Sequence, residues 1–177
     1  MNRIRVLGVL AIAVSAGFAH TVRIDFDHGA HFSSYKTYRW VDSPDSQSSQ
    51  GVFPNQLMEQ RITGFVEEAL AARGLKRVTT GGDLLVSCRL IVREQPQYVT
   101  YSDGGPVWGW GWGGGYSTTT IQYLYEGTLV IDIVDANRGK LVFEGTSTQS
   151  VSSRAEKNTE KLAKAVNKVM AKYPPQP

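Results

Sequence analysis

The sequence is poor in cysteine and histidine, and it lacks several common catalytic motifs. Its single cysteine, Cys88, cannot form a disulfide within the chain. There is no Gly-x-Ser-x-Gly elbow, no phosphate-binding loop and no His-Glu-x-x-His zinc motif. Cys88 falls in the apolar run Leu84 to Val92, which favours a small buried side chain over a reactive thiol. We therefore predict no catalytic residue, no cofactor and no metal site.

The chain also lacks an apolar run long enough to cross a bilayer. Its longest, Val6 to Ala16, is about half of the roughly 20 residues that a spanning helix needs. Basic Arg3 and Arg5 precede this run and small residues follow it, which is typical of a secretory signal peptide. The sequence predicts a signal peptide over residues 1–19, cleaved after Ala19, no transmembrane segment, and an exported protein that is periplasmic or envelope-associated.

The predicted mature chain has no large excess of either charge. Without Arg3 and Arg5, 17 of the 19 Lys and Arg side chains remain against 16 Asp and Glu. A net charge of about +1 removes the global argument for a nucleic-acid partner.

The strongest pattern that is present predicts a β-hairpin from Tyr123 to Thr148. Leu129, Ile131 and Ile133 share one face of its first arm, and the turn falls at 135–139, where Gly139 can adopt a positive φ. Leu141 and Phe143 are expected to resume the inward face. Because both faces of the first arm are apolar, this strand should lie centrally in a sheet.

The apolar periodicity of the rest of the sequence predicts strands at 21–27, 35–41 and 83–93 and two amphipathic helices. We predict an α+β fold: a two-layer sandwich with an antiparallel or mixed sheet of about four or five strands and both helices on one face. Residues 20–177 are expected to form a single domain. The candidates for lining the open face are Tyr38, Trp40, Tyr123 and Tyr125.

Each helix has a predicted apolar face and a predicted boundary. The first begins after Asn55, ends at Gly74 and buries Met58, Ile62, Phe65, Ala69 and Ala72. The second begins with a capping box at Ser153 and Glu156 and buries Leu162, Val166, Val169 and Tyr173.

A Gly- and Trp-rich insertion occupies residues 98–120, after Pro96, which is expected to end the preceding strand. Trp108, Trp110, Trp112 and Tyr116 are its candidate binding residues. The segment should not form a regular element. It is either an adhesive flap for a glycan, a membrane interface or a protein, or a low-complexity insertion that folds back on the sheet.

A stripe of basic residues runs along the second helix opposite its apolar face. It is either a solvated surface or a contact for anionic polymer or lipid headgroups. The candidate binding residues here are Lys161, Lys164 and Lys168. Aromatic residues do not alternate with the lysines, which disfavours nucleic acid.

Three histidines near the predicted mature N-terminus raise a metal alternative. His20, with its free amine after cleavage, could chelate copper with Asp25, Asp27, His28 or His31 as further ligands. The competing interpretation is that His28 and His31 lie in the solvated turn between two strands.

Several short motifs in a fixed order resemble the bacterial domain-of-unknown-function 4136 family, across nearly the whole predicted mature chain. These motifs are Val22-x-Ile-Asp-x-Asp27, Phe32 to Trp40, Arg61-Ile62, Ala71-x-x-Gly74, Asp83 to Val86, Glu126 to Asp135, Gly145 and Val166 to Pro174. The resemblance implies an envelope protein, often a lipoprotein, with no established catalytic residues. This chain departs from that pattern in lacking the cysteine that would carry the lipid.

Together these observations favour a non-enzymatic exported envelope protein that binds or scaffolds a partner. That partner is an envelope protein, a glycan or a lipid surface. The alternative is an envelope-located metal-binding protein or enzyme.

Overall fold

The computed structural model describes residues 21–42, 56–103 and 116–175. These form six strands, two α-helices and one short 3₁₀ helix, Phe32–Ser34. The elements in chain order are β1 (Thr21–Phe26), β2 (Thr37–Trp40), α1 (Gln56–Ala71), β3 (Lys76–Arg77), β4 (Leu84–Asp103), β5 (Tyr116–Asp135), β6 (Lys140–Ser150) and α2 (Ala155–Met170). The predicted α+β class is confirmed. The sixth strand, β3, was not predicted, because two residues carry no readable periodicity.

The strands form one mixed sheet in the order β1-β6-β5-β4-β2-β3. Strand β2 runs parallel to β3 and β4, and every other neighbouring pair is antiparallel. The predicted hairpin is present as β5 and β6, and β5 lies between β6 and β4. Ile131 and Ile133 are fully buried, so the central position of this strand is confirmed.

Both helices pack on the face of the sheet that carries Leu129, Ile131 and Ile133. Their buried side chains join those of the strands in one core cluster. The helices run parallel to each other: Arg61 in α1 donates to Thr159 in α2, and Arg73, just after α1, reaches Met170 at the end of α2. The Arg73 guanidinium also donates to the carbonyls of Ala69 and Tyr173, so one cation joins the C-terminal ends of both helices.

The predicted helix faces are correct in most positions. The buried side chains of α1 are Met58, Ile62, Val66, Ala69 and Leu70, and all four residues predicted for the second helix are buried. Phe65 is only partly buried and Ala72 is exposed, because the helix presents its Val66 and Leu70 side to the sheet. Gly74 has φ of 80° and stops the first helix as predicted.

The predicted capping box at the start of α2 was wrong. The N-cap position is Arg154, which makes no side-chain capping hydrogen bond. Instead Asn158, a buried residue of the second turn, accepts from the backbone N of Ser152 at 2.8 Å and donates to its carbonyl at 2.7 Å. An amide that binds both backbone groups of one residue fixes the chain entering the helix.

The turn between β5 and β6 falls where predicted, with Gly139 at φ 63°. The inward face after it differs from the prediction. A bulge lies where the partner of Ile133 is Phe143 and the partner of Val134 is Leu141, which leaves Val142 without an opposite residue. Val142 and Phe143 are both buried and Leu141 is 45% exposed, since the extra residue reverses the alternation.

Strands β4 and β5 continue well beyond the rest of the sheet. Pairing of β5 with β6 ends at Glu126, whereas pairing with β4 continues to Tyr116 opposite Asp103. The predicted end of a strand at Pro96 was therefore wrong, as was the absence of regular structure at 98–103 and 116–120. Pro96 pairs with Tyr123 in the two-stranded part, where a proline tolerates having no N–H to donate because none of the other described strands pairs there. We call residues 94–103 and 116–125 the ribbon.

Candidate functional site

One side of the ribbon carries a row of exposed apolar and aromatic side chains. Even-numbered β4 residues such as Leu84 and Val86, and odd-numbered β5 residues such as Ile131, face the helices. The uninterrupted β4–β5 register extends this side past the ends of the helices. There it presents Pro96, Tyr98, Ile121, Tyr123 and Tyr125, which we call the aromatic stripe. Tyr98 and Tyr123 are 69% and 59% exposed.

The local sequence explains why the ribbon forms. Thr, Tyr, Val and Ile are seven of the ten ribbon residues of β5 and four of the ten of β4, and these residues favour extended backbone. Thr100 and Thr119 share a 3.1 Å hydrogen bond between their hydroxyls, and Gln95 donates to the Glu126 carboxylate at 2.9 Å. Such cross-strand pairs stabilise a ribbon that is not flanked by any other strand of the described residues.

At the root of the ribbon the aromatic stripe continues into an apolar cleft beneath the helices. The cleft has a cavity volume of about 30 Å³ and is lined mainly by Met58, Leu90, Val92, Leu129 and Leu162. At the edge of β6, the backbone N of Val151 donates to the carbonyl of Tyr125 at 2.7 Å. The exposed stripe and the core are therefore continuous on one side of the sheet.

Lys161 is placed differently from the other two lysines of the predicted basic site. Its ammonium donates to the carbonyl of Ser150 at 2.8 Å and to the Ser150 hydroxyl at 3.2 Å, and its side chain lines the cleft. Lys164 and Lys168 are exposed further along α2. The structure thus brings Lys161 to the root of the ribbon and leaves the other two on the outer surface.

The predicted aromatic site falls partly outside the described residues. Trp108, Trp110 and Trp112 lie outside them, within the 12 residues that connect the paired ends Asp103 and Tyr116. Tyr116 is the first residue of β5. Tyr98 and Ile121 were not among the predicted binding residues. The signal that could have found them is the period-two placement of Ile121, Tyr123 and Tyr125, which continues the Leu129 face.

The predicted open-face residues do not line the open face. Tyr38 is 2% exposed in the core and Trp40 packs against it, because β2 turns both side chains towards the helices. Tyr123 and Tyr125 have the same orientation and are exposed because the ribbon extends beyond the helices. On the face opposite the helices, Arg89 forms an ion pair with Asp132 across neighbouring strands.

The residues of the metal alternative are used in local structure. Asp27 accepts from Lys140 Nζ at 2.8 Å and from the backbone N of Gly29 at 3.0 Å, and these hydrogen bonds lower the pKa of its carboxyl. The His28 ring packs on Phe26. His20 lies outside the described residues. In residues 21–42, 56–103 and 116–175, no group of three or more His, Cys, Asp or Glu side chains is arranged to hold a metal ion.

Cys88 has the environment of a structural residue. It packs against the core cluster, and burial raises the pKa of its thiol to about 12. A thiol with such a pKa is almost entirely protonated near neutral pH and is a poor nucleophile.

Two aspartates join distant segments at the end of the sheet away from the ribbon. Asp83 Oδ2 accepts from the backbone N of Lys36 at 2.8 Å and from the backbone N and hydroxyl of Thr37, both at 2.9 Å. These hydrogen bonds lower the pKa of Asp83. Asp135 accepts from Tyr35 Oη at 2.9 Å and caps the β5–β6 turn. Both carboxylates hold loops in place rather than converge on a pocket.

A family model described as "Domain of unknown function (DUF4136)" matches residues 22–175. The chain belongs to this family. The motifs of the DUF4136 resemblance include both of the structural aspartates, Asp83 and Asp135, and Gly145 on β6. Because both aspartates hold loops in place through hydrogen bonds, their roles in this chain are connected with folding.

One solved structure with a TM-score above 0.5 supports the architecture of this DUF4136 member and nothing more specific. A PDZ domain protein from Parabacteroides distasonis aligns with a TM-score of 0.57 and 16% identity over 88% of this chain, which spans 36% of that protein. A PelC dodecamer from Paraburkholderia phytofirmans aligns at 0.49 and 15%, over 86% of this chain and 95% of that one. A minor lipoprotein from Acinetobacter baumannii aligns at 0.35 and 10%, over 78% and 91%.

No curated protein matches the chain. In the part of the chain that the structure describes, neither helix has the length and apolar character needed to cross a membrane.

Proposed function

We propose that this DUF4136 member is a non-enzymatic exported protein of the bacterial envelope that binds a partner through its ribbon. The predicted signal peptide over residues 1–19 supports export. The observation that carries the binding proposal is the aromatic stripe, in which Tyr98, Ile121, Tyr123 and Tyr125 are between 36% and 69% exposed on one side of a projecting hairpin. Contiguous exposed apolar patches are uncommon on soluble proteins, and those that occur often mark interaction sites.

The construction of the ribbon also supports a binding role. An isolated two-stranded ribbon is only marginally stable in water, so a chain gains little stability from extending one beyond its core. Tyr98, Tyr123 and Tyr125 on it remain 36% to 69% exposed, and this exposure costs solubility. This surface lowers solubility and does not stabilise the fold. Its presence is explained if a partner covers it. The proposed binding region also includes Trp108, Trp110, Trp112 and Tyr116, which follow Asp103 in the sequence.

The test compares retention on isolated envelope material between two matched variants. Tyr98→Thr with Tyr123→Thr removes two rings of the aromatic stripe, and threonine preserves the preference for extended backbone. Tyr101→Thr is the control, because Tyr101 is 58% exposed on the other side of the same ribbon. We expect the double variant to lose retention and the control to keep it. Equal retention of the parent and the double variant would contradict the proposal.

A second variant tests the tip. Replacing residues 104–115 by Asn-Gly closes the ribbon with a two-residue turn between the paired ends Asp103 and Tyr116. The unfolding free energy should change by less than about 1 kcal/mol, since the deleted segment connects strand ends outside the core and shortening a loop has a small entropic effect. Retention should fall if the tryptophans contact the partner. Unchanged retention would restrict the binding region to the stripe.

A further inference from the structure

We propose that the partner of the aromatic stripe is the interface of an anionic lipid bilayer, on which the ribbon lies without crossing it. This inference rests on the proposed function and specifies its partner. The structural relationship behind it is the position of the stripe next to the first turns of α2, where three cations are grouped.

The size of the stripe argues against a stable protein partner on this surface alone. Its side chains expose roughly 400 Å² of mostly apolar area, given their partial exposure and the usual size of aromatic residues. A stable protein interface of ordinary size needs about 800 Å² from each partner. A second copy of the ribbon would contribute no more than the first, so the same shortage applies to a dimer formed through this face. Insertion into a lipid interface has no such minimum area, because a few amphipathic side chains are enough for reversible binding.

The chemistry of the stripe suits the boundary between headgroups and acyl chains. Tyrosines are enriched at that depth because the ring is apolar and the hydroxyl is polar. Three of the five stripe residues are tyrosines, and along each strand they alternate with residues of the other side, where Gln95, Gln97 and Gln122 lie together with the exposed Tyr101. Within residues 94–101 and 117–125, the stripe side carries one charged residue, Glu94. It lies at the root of the ribbon, opposite Tyr125.

The charges next to the root are complementary to anionic headgroups. Arg154 and Lys157 are exposed in the first turns of α2, and Lys161 is held at the end of β6 by its hydrogen bond to Ser150. The intervals of three and four residues place all three on one flank of the helix. Glu156 and Glu160 lie on its outer side, away from the buried Leu162 and Val166. Lys161 is connected to Tyr125 through Ser150 and the backbone of Val151.

The test measures binding to vesicles of phosphatidylcholine with and without phosphatidylglycerol, at low and high salt. The protein should begin at His20, verified by mass spectrometry, because the apolar run Val6 to Ala16 would bind lipid by itself. We expect salt-sensitive binding to the anionic vesicles and weaker binding to the neutral ones. Tyr98→Thr with Tyr123→Thr should weaken binding to the anionic vesicles about tenfold, whereas Tyr101→Thr should leave it unchanged.

A second pair of variants tests the charges separately. Arg154→Gln with Lys157→Gln should weaken binding to anionic vesicles by about fivefold for each cation removed and leave binding to neutral vesicles unchanged. The matched control is Lys168→Gln with Lys172→Gln, which removes two exposed cations, one in the last turn of the same helix and one just after it. If both pairs have the same effect, general charge attraction explains the binding and this proposal is overturned.

The outcomes separate this inference from the proposed function. If the parent protein binds no vesicles but is retained on envelope material, including material from which lipid has been extracted, its partner is a protein or a glycan. That result rejects the bilayer as the partner and leaves the proposed binding function intact. Failure to bind both vesicles and envelope rejects both. Stripe variants that bind vesicles as tightly as the parent reject the bilayer contact through the stripe.

Discussion

Gly145 on β6 lies directly beneath Val169 of α2, and a methyl group on Gly145 would overlap Val169 Cγ1. Val169 is fully buried, so it cannot move towards solvent. The helix therefore approaches the backbone of the strand at this position more closely than any side chain on Gly145 would permit. This contact sets the distance between the two layers.

Gly145→Ala should lower the unfolding free energy by about 1 to 3 kcal/mol, because the added methyl forces the helix away from the sheet or Val169 from its rotamer. Urea denaturation measures the change. The control is Gly64→Ala in α1, where an added Cβ meets nothing within 4 Å. That substitution should raise stability by up to about 1 kcal/mol through helix propensity.

A double variant separates steric overlap from any other effect of residue 145. Val169→Ala removes the group that the new methyl would strike, so Gly145→Ala should cost much less in that background than in the parent. Additive costs in the thermodynamic cycle would mean that the two positions are uncoupled and that the proposed contact is absent.

Ile131→Ala should cost roughly 2 to 5 kcal/mol, since Ile131 is fully buried at the centre of β5 and its truncation leaves a cavity. Ile121→Ala on the same strand is the matched comparison, because Ile121 is 48% exposed in the ribbon. Its cost should stay below about 1 kcal/mol. Similar losses at the two positions would show that the ribbon is part of the cooperative core.

Asp83→Asn should destabilise the protein by about 2 kcal/mol near neutral pH, because a charged acceptor of three hydrogen bonds becomes a neutral one. The folded pKa of Asp83 is lowered, so its stabilising contribution is complete above the unfolded pKa, near 4, and is lost as the pH falls through the lower folded pKa. The stability difference between parent and variant should therefore shrink in acid below about pH 4. A constant difference down to about pH 2 would exclude this linkage.

Lys161→Gln should cost about 1 to 2 kcal/mol, because its ammonium donates to two Ser150 oxygens in a partly buried position. Lys168→Gln, exposed on the same helix, should change stability by less than about 0.5 kcal/mol. Thermal denaturation of the two single variants distinguishes them. Equal effects would mean that Lys161 is also free in solution.

The features that the sequence predicted well are those with a long apolar period. The alternation of Leu129, Ile131 and Ile133 identified the central strand, and the spacing of Leu162, Val166 and Val169 identified the buried face of α2. The features that it did not predict depend on which strands pair and in what register. The bulge at Val142 exposes Leu141, and Tyr38 is buried because β2 pairs with β4 in one particular register.

The candidate site was located only in part for the same reason. The glycines and tryptophans directed attention to residues 104–116, whereas Tyr98 and Ile121 become neighbours on one surface only through the long pairing of β4 with β5. Pro96 gave a misleading signal, because a proline that interrupts a central strand is tolerated in a ribbon without a third strand.

The position of Arg73 has an electrostatic consequence for the two parallel helices. Parallel alignment places two C-termini side by side, and each carries a partial negative charge from its unpaired carbonyls, so the macrodipoles repel each other. The Arg73 guanidinium lies between them and donates to carbonyls on both sides. Its full positive charge offsets two half-charges at once. The Arg73 side chain thus stabilises a parallel arrangement of helices that the dipole–dipole interaction alone would oppose.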